Sequence, residues 1–525
     1  MKQREVVYKS TVAYGVIFQV DILERDALQV LSLIRSVKNT FTLVNRTPPE
    51  ILSSIPDYWE GGGRDEGLIG LTHVCRLWRE LFVSRSSLWA RLDCRSIEKT
   101  RVYIERSKTS PLEIVLNGLG PQGYHEEAFL LTVAHVGRVK TLSVLDSEAL
   151  LQVLAKHFSS PAPFLEKLEV KLLCDPTLTL PGTLFNGDPS SLRELSLAGL
   201  LMPTSWRGLG NLTTFSLSGI PSHGIILAHL LDFFESAPRL RNIRLQHSIP
   251  EFSDVPPERI VSLPSLKELR IIARLPHSIL LDRLSIPSGA SVVLEFTFSG
   301  AHSPIPTYLP TALDNLHNLS HITTVNLCFG SEQRAMQLNG PSGELHVLGK
   351  WIREDAGSTT GTARLLRFSN RFDTSRCRWL GITHYSCNPD ISTPNTTWAT
   401  YQLLLPMDDL HTLTLIESNN LSFILALNPD ENPNNIILCP RLEEITLYIN
   451  RPDGFYVDEL LSMVEERALM DAGLSAITIV STEALTPSME VFQLRKYVSR
   501  VEYKFDNAPP AWDTLPGCNQ PERYL

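Results

Sequence analysis

A six-residue frame, L-x-x-L-x-L, recurs along most of this chain and restricts its fold more than any other feature. It starts with "VKTLSV" at Val139 and "LEKLEV" at Leu165, and continues with "LRELSL" at Leu192, "LTTFSL" at Leu212 and "LRNIRL" at Leu240. "LKELRI" at Leu266, "VLEFTF" at Val293 and "ITTVNL" at Ile322 follow, so that successive starts lie 26, 27, 20, 28, 26, 27 and 29 residues apart. Near-equal spacing of this kind means one supersecondary unit repeated, each unit burying its apolar face against its neighbours. The last three positions of the frame alternate apolar and polar, as in a strand with one buried face. Between the strands lie helical segments, "EALLQVLAKHF" (148 to 158), "GIILAHLLDFFESAP" (224 to 238) and "YVDELLSMVEERALM" (456 to 470). In the second, Ile226, Leu230 and Phe233 or Phe234 recur at helical spacing and form a stripe that packs behind the strand. The predicted class is therefore α/β: a solenoid of parallel strands lining an arc, with helices on the outer side.

The frame returns at Leu410, Leu442 and Leu474, now 32 residues apart, and degrades between Phe329 and Leu405, where "ARLLRF" near Ala363 is the one trace of it. An irregular insertion near 330–405 is expected. The period resembles that of the leucine-rich repeat family, roughly 20 to 29 residues. Regular members place Asn or Cys after the strand; here "AGL" follows "LRELSL" and "SGI" follows "LTTFSL". The expectation is an irregular member whose outward polar positions carry the binding.

A formal charge of −9 over 525 residues argues against a general grip on phosphate backbones or anionic membranes. Between Thr47 and Lys108 ten Lys or Arg face nine Asp or Glu, so the acidic excess lies elsewhere. The eight Cys (75, 94, 174, 328, 377, 387, 439 and 518) show no C-x-x-C spacing and read as reduced thiols in a reducing compartment. No secretory leader and no membrane span is predicted. A cytoplasmic or nuclear location follows as the expectation.

Upstream of the repeats, Leu68, Leu71, Val74, Cys75, Trp78, Leu81 and Phe82 fall three, three, one, three, three and one apart, as on one face of a single helix. "PPEILSSI" before it opens with Pro in the first helical turn, and "SSLWARL" after it offers a Ser cap followed by Leu88, Trp89 and Leu92. Three short helices between Thr47 and Leu92 are too small to enclose all these side chains, and a partner surface is the expected remedy.

The order P-P-E-I-L, then V-C-x-x-W-R (Val74, Cys75, Trp78, Arg79), then Leu88-Trp89 and "YIERSKTSPLEIVL" (103 to 116), resembles the F-box proteins abundant in mushroom-forming fungi, in which an F-box precedes irregular leucine-rich repeats. The resemblance runs from about residue 45 to 485. It implies an N-terminal extension (1–44), an F-box (45–95), linker helices (96–136), a repeat domain (137–485) and a C-terminal tail (486–525). In that family the F-box docks on the Skp-type linker subunit of a cullin-RING ubiquitin ligase, and the repeats hold the protein to be ubiquitinated. By resemblance, Pro48, Ile51, Leu52, Val74, Cys75 and Trp78 are the candidate linker contacts. Thr47 stands where the family usually has Leu, and Pro56 with "GGGR" (61 to 64) is expected to end the first helix early.

No catalytic constellation, metal site or cofactor site is expected. "HNLSH" (His317 to His321) spaces two His by four but has Asn318 where a zinc protease needs Glu. "RFSNRFDTSRCRW" (367 to 379) interleaves four Arg with aromatics; it reads first as a solvated loop, with phosphate and base contacts or an inserted partner-binding loop as the functional alternatives. A helix-turn-helix reading, with His73, Arg76 and Arg79 exposed, is disfavoured by the neutral local charge. Residues 22 to 37 form an amphipathic helix with no assigned role. The favoured reading is a noncatalytic ubiquitin-ligase adaptor with an unknown target, and the alternative is a repeat scaffold whose F-box no longer joins a ligase.

Overall fold

The computed structural model describes residues 2–58, 64–118, 123–146, 148–172, 178–203, 205–206, 208–220, 224–250, 255–256, 258–273, 279–298, 313–329, 333–351, 372–383, 394–416, 420–432, 434–449, 456–481 and 492–506. The chain is α/β with mostly parallel strands and divides into two compact units, residues 1–143 and 144–525. No helix among the described residues is long and apolar enough to cross a membrane.

The first unit opens with α1 (Lys2–Thr40), then α2 (Pro49–Ser54), α3 (Arg64–Thr72) and α4 (Arg76–Ser84). Pro49 sits at the start of α2, where its missing N–H costs nothing. Strand β1 (Arg91–Leu92) pairs in parallel with β2 (Leu112–Asn117) across α5 (Ile97–Ser107). Ser96 caps α5 by accepting from the N–H of Lys99. Helix α6 (Glu126–Val133) and β3 (Val139–Asp146) carry the chain into the second unit.

The predicted single helix from Leu68 to Phe82 is two. Cys75 has extended backbone (φ −159°, ψ 176°) and stands at the N-terminus of α4. The break turns the stripe: Leu68, Trp78 and Phe82 are buried, whereas Val74 is exposed. Periodicity alone missed it because steps of three and four survive a short turn between two helices.

The second unit contains β4 (Lys167–Leu172), β5 (Glu194–Ala198), β6 (Thr214–Ser218), β7 (Asn242–Gln246), the short β8 (Val261–Ser262), β9 (Glu268–Ala273), the short β10 (Leu284–Ser285) and β11 (Ala290–Phe298). There follow β12 (Thr324–Phe329), β13 (Gln333–Gly340), β14 (Gly343–Trp351), β15 (Trp379–Thr383), β16 (Thr412–Ile416), β17 (Glu444–Ile449), β18 (Ala476–Ser481) and β19 (Arg500–Phe505). Strands β4, β5, β6, β7, β9 and β11 lie side by side, all parallel. So do β12, β15, β16, β17, β18 and β19. The two runs join through an intruding hairpin: β13 is antiparallel to β12, and β14 is antiparallel to β13 and parallel to β11.

Most junctions between parallel neighbours repeat one hydrogen-bond device. The carbonyl just before a strand accepts two N–H groups from the entry of the next: Glu166 from Arg193 and Glu194, Arg193 from Thr213 and Thr214, Thr213 from Arg241 and Asn242. Beyond the hairpin, Arg378 accepts from His411 and Thr412, His411 from Glu443 and Glu444, and Glu443 from Ser475 and Ala476. Behind the strands the return segment is a helix in some repeats: α7 (Glu148–His157), α8 (Leu227–Ser236), α9 (Pro394–Leu404), α10 (Asn420–Leu427) and α11 (Val457–Leu469). Elsewhere it is a 3-10 turn, as at Leu209–Asn211. The 20-residue step from Leu192 to Leu212 has that turn in place of a helix, which accounts for its brevity.

Apart from the frames at Val139, where β3 begins at once, and Val293, each frame places a strand two residues after its first apolar position, and the leading Leu or Ile is buried. One register is corrected. β11 pairs Val292 with Leu269 and Leu294 with Ile271, so the frame read at Val293 is displaced, Val293 itself pairing with Arg270 on the opposite face. Three consecutive apolar residues (292 to 294) hide the period of two. Two repeats escaped the sequence reading because other residues stand in for Leu. Trp379 pairs with Thr324 and Arg500 with Ala476, so buried Cys377 and Val498 occupy the places of Ile322 and Leu474. The region expected to be irregular thus holds a hairpin and a further repeat, and the ladder continues past residue 485 to Phe505. "ARLLRF" and the tail from residue 507 lie outside the described residues.

The missing Asn after the strand has a backbone substitute. Gly199 and Gly219 follow β5 and β6 at φ +73° and +72°, and their N–H groups donate to Ser218 and Gln246 of the next strands (2.9 and 3.0 Å). A Cβ on Gly199 would lie 2.6 Å from the carbonyl oxygen of Leu172. Gly199→Val should therefore lower unfolding free energy by about 1–3 kcal/mol in urea titration.

One charge is enclosed in the apolar layer. Arg467 on α11 is fully buried, and its Nη1 and Nη2 donate to the carbonyls of Leu438 and Cys439 (2.7 and 2.9 Å), where Cys439 turns the chain at φ +49°. Burial holds the Arg467 pKa below its ordinary value and pushes the Cys439 thiol up to about 12. Arg467→Met removes the donor to the Leu438 carbonyl, while the Cys439 carbonyl keeps the Leu442 N–H, and should cost about 1–3 kcal/mol in chemical unfolding. Arg467→Lys should not restore it, because an ammonium lacks the planar fork.

Candidate partner-binding surfaces

In the first unit the rings of Trp78 and Trp89 are held from within. Trp89 Nε1 donates to the Phe82 carbonyl (2.9 Å), Tyr103 of α5 meets its ring edge-on at 5.0 Å, and the Arg106 guanidinium lies 4.3 Å above it. Trp78 Nε1 donates to Asn45 Oδ1 (2.7 Å), and its ring meets Phe82 edge-on at 5.7 Å. The expectation that these rings need a second protein is corrected: α5, which lies beyond the three short helices, covers Trp89, while Asn45 and Phe82 hold the buried Trp78.

The six candidate contacts consequently separate. Leu52 and Trp78 are buried, Cys75 is half-buried, and Pro48, Ile51 and Val74 are exposed. α4 packs against both α2 and α3, and each of these elements leaves an apolar side chain in solvent: Ile51 (59 % exposed), Ile69, Leu77 and, in the turn between α3 and α4, Val74 (57 %). Ile69 and Leu77 were not singled out in the sequence; the turn at Cys75 brings Leu77 to the surface. Arg76 pairs with Glu80 (2.9 Å) and Arg79 Nε donates to the Thr72 carbonyl (3.0 Å), so both cations of the helix-turn-helix reading are engaged within the unit.

In the second unit the row of the sheet opposite the leucine layer is mostly polar, and its members Asn326, Gln337 and His346 on and beside the hairpin are buried. Parallel and antiparallel registers align Glu169, Ser196, Ser216, Arg244, Arg270 and Val293 in one row with His346, Gln337, Asn326 and Gly381. Arg270 and Glu295 form an ion pair, while His346 Nε2 contacts Gln337 Nε2 (3.2 Å) and Glu344 (3.3 Å). The His346 contact holds the Glu344 carboxyl below its usual range.

At the strand-entry edge lies an open groove of about 1010 Å³, lined by His321, Thr323, Pro341, Ser375, Arg376, Arg378, Asp408, Asp409, Pro440 and Arg441. It collects residues far apart in sequence because each precedes a strand or the hairpin turn. Asp409 accepts from Arg441 (2.5 Å) and Arg378 (3.3 Å), and these hold its carboxyl below the usual range. Arg376 donates to His321 Nδ1 (2.9 Å), so that nitrogen is an acceptor. The basic segment 367–379 thus delivers Arg376 and Arg378 to the groove; residues 367–371 lie outside the described residues. "HNLSH" forms a 3-10 turn at His317–Leu319, and buried Asn318 donates from Nδ2 to Glu344 and Ala290 carbonyls (2.9 and 3.3 Å), joining β14 to β11. Among the described residues no group of three or more metal-ligating side chains converges.

No protein-family model matches the chain, and a comparison with curated proteins finds no match.

The groove makes a pH prediction. A depressed carboxyl contributes stability that is present above its unfolded pKa and lost as pH falls through the folded one. The thermal stability advantage of the natural chain over Asp409→Asn should be full near about pH 7 and vanish well below about pH 4.

Proposed function

We propose that this chain is a noncatalytic substrate-recruiting adaptor of a Skp/cullin/F-box ubiquitin ligase, the helices of its first unit docking the Skp-type linker and its repeat sheet holding the target. The reading rests on the resemblance carried by Pro48 to Leu52, Val74 to Arg79 and Leu88-Trp89. The observation that supports it best is the uncovered apolar set Ile51, Ile69, Val74 and Leu77 on helices whose aromatic core is already closed. Such a set offers anchors for a partner without exposing the core. Pro48 lies beside it, while Leu52, Cys75 and Trp78 act through the packing that holds these helices.

The alternative is a repeat-based scaffold working outside any ligase. Thr47 in place of the family's Leu favours it, since the substitution removes an apolar contact.

Ile51→Asp with Val74→Asp separates the two without disturbing the core, because both side chains are exposed. Affinity purification of the natural chain should recover the Skp-type linker and a cullin, and the double variant should lose at least about tenfold of that recovery with an unchanged melting temperature. Linker recovery equal to the natural chain's overturns the docking surface. Recovery of other proteins with neither linker nor cullin from the natural chain supports the scaffold.

A further inference from the structure

Helix α1 is long, and its described side chains from Val16 onward stand in solvent along nearly their whole length. Val16, Val20, Leu23, Ala27, Val30, Ile34 and Val37 follow one another at intervals of four, three, four, three, four and three residues. That is an unbroken seven-residue repeat with every seam position apolar, the pattern by which one helix pairs with another along a shared stripe. All seven are exposed, from 54 % at Val20 to 67 % at Leu23 among the large ones. A lone apolar side chain on a surface is ordinary, but a continuous stripe three heptads long marks an interaction face.

The charges on the helix choose the occupant. Between residues 16 and 29 the chain carries Asp21, Glu24 and Asp26 against Arg25, and between 30 and 40 it carries Arg35 and Lys38 with no acid. A second copy laid in parallel would set acid beside acid and base beside base. Laid antiparallel, it sets the acidic half against the basic half. The positions flanking the seam agree: Glu24, Leu31 and Lys38 occupy the same flank in successive heptads, and in an antiparallel pair this flank faces itself. A pair centred on Leu31 brings Glu24 against Lys38 of the second copy and Leu31 against its counterpart, with Ala27 over Val37 and Val30 over Ile34. The parallel alternative sets Asp26 against Leu31 and Leu33 against Lys38, which matches no charges.

We infer that α1 is a self-association element, pairing with α1 of a second copy as an antiparallel two-stranded coiled coil. The contact is isologous, so it closes on itself as a dimer and leaves the rest of each chain free. It is independent of the adaptor reading, which concerns α2 to α4.

The test uses the full chain. Sedimentation should give twice the monomer mass at micromolar concentration, and Val30→Glu with Ile34→Glu should return it to the monomer with the unfolding transition of the remainder unchanged. Orientation is read by zero-length carbodiimide coupling in a mixture of light and isotope-labelled chains. Glu24 and Lys38 are fourteen residues apart on one helix, about 21 Å at 1.5 Å per residue, too far to couple within a chain or between parallel chains. A mixed-isotope Glu24–Lys38 peptide is therefore the expected product. A monomer at all concentrations overturns the inference, as does a dimer that survives both Glu substitutions or one that never yields that peptide. Loss of the Skp-type linker has no bearing on either readout.

Discussion

The repeat sheet depends on the carbonyl that precedes each strand. Glu166, Arg193, Thr213 and Arg241 each accept two N–H groups from the next repeat, and Arg378, His411 and Glu443 do the same beyond the hairpin. A backbone that steps sideways from one strand to its neighbour must satisfy its donors at every step. Here one acceptor serves two, and the same geometry recurs although the side chains differ. This fixes the register between strands, and the register decides which side chains turn inward and which line the outward row.

The apolar layer behind that ladder tolerates substitution more readily than the ladder does. Cys377 and Val498 take the place of Leu at the head of a repeat and stay buried. Return segments range from helices to 3-10 turns because the space behind a strand can be filled by either. What the layer does not tolerate is unpaired polarity. Where a strand exit has no Asn, left-handed Gly199 and Gly219 donate onward, and where α11 meets the loop at Leu438 and Cys439, Arg467 supplies the donors.

Specific chemistry collects where the repetition is interrupted. The hairpin β13–β14 separates β11 from β12, and the polar set of Glu344, His346, Gln337 and Asn326 lies on it and its neighbour. Its turn borders the groove with the arginine ties to Asp409. In the first unit the comparable interruption is Cys75, which divides one predicted helix into two. The break at Cys75 leaves Val74 and Leu77 on the surface, whereas Asn326, Gln337 and His346 on and beside the hairpin are polar and buried.

The sequence by itself determined the α/β class, the parallel strands, their number along the regular stretches and the identity of most inward residues. Periods of two and of roughly 27 are written in side-chain polarity, which a local reading can follow. Sequence also marked Pro48 to Trp78 as a distinct helical region. Tertiary structure alone decided that Trp78 and Leu52 are core while Ile51 and Val74 are surface, because α5 comes from outside the motif to cover Trp89 and the turn at Cys75 rotates one stripe away from the other. It likewise decided the order of β11 to β15 and the meeting of Arg376, Arg378, Asp409 and Arg441. The pairing of β11 with β14 and of β12 with β15, and the arginine ties to Asp409, join residues 30 or more positions apart, and no local pattern of polarity encodes which strand lies beside which.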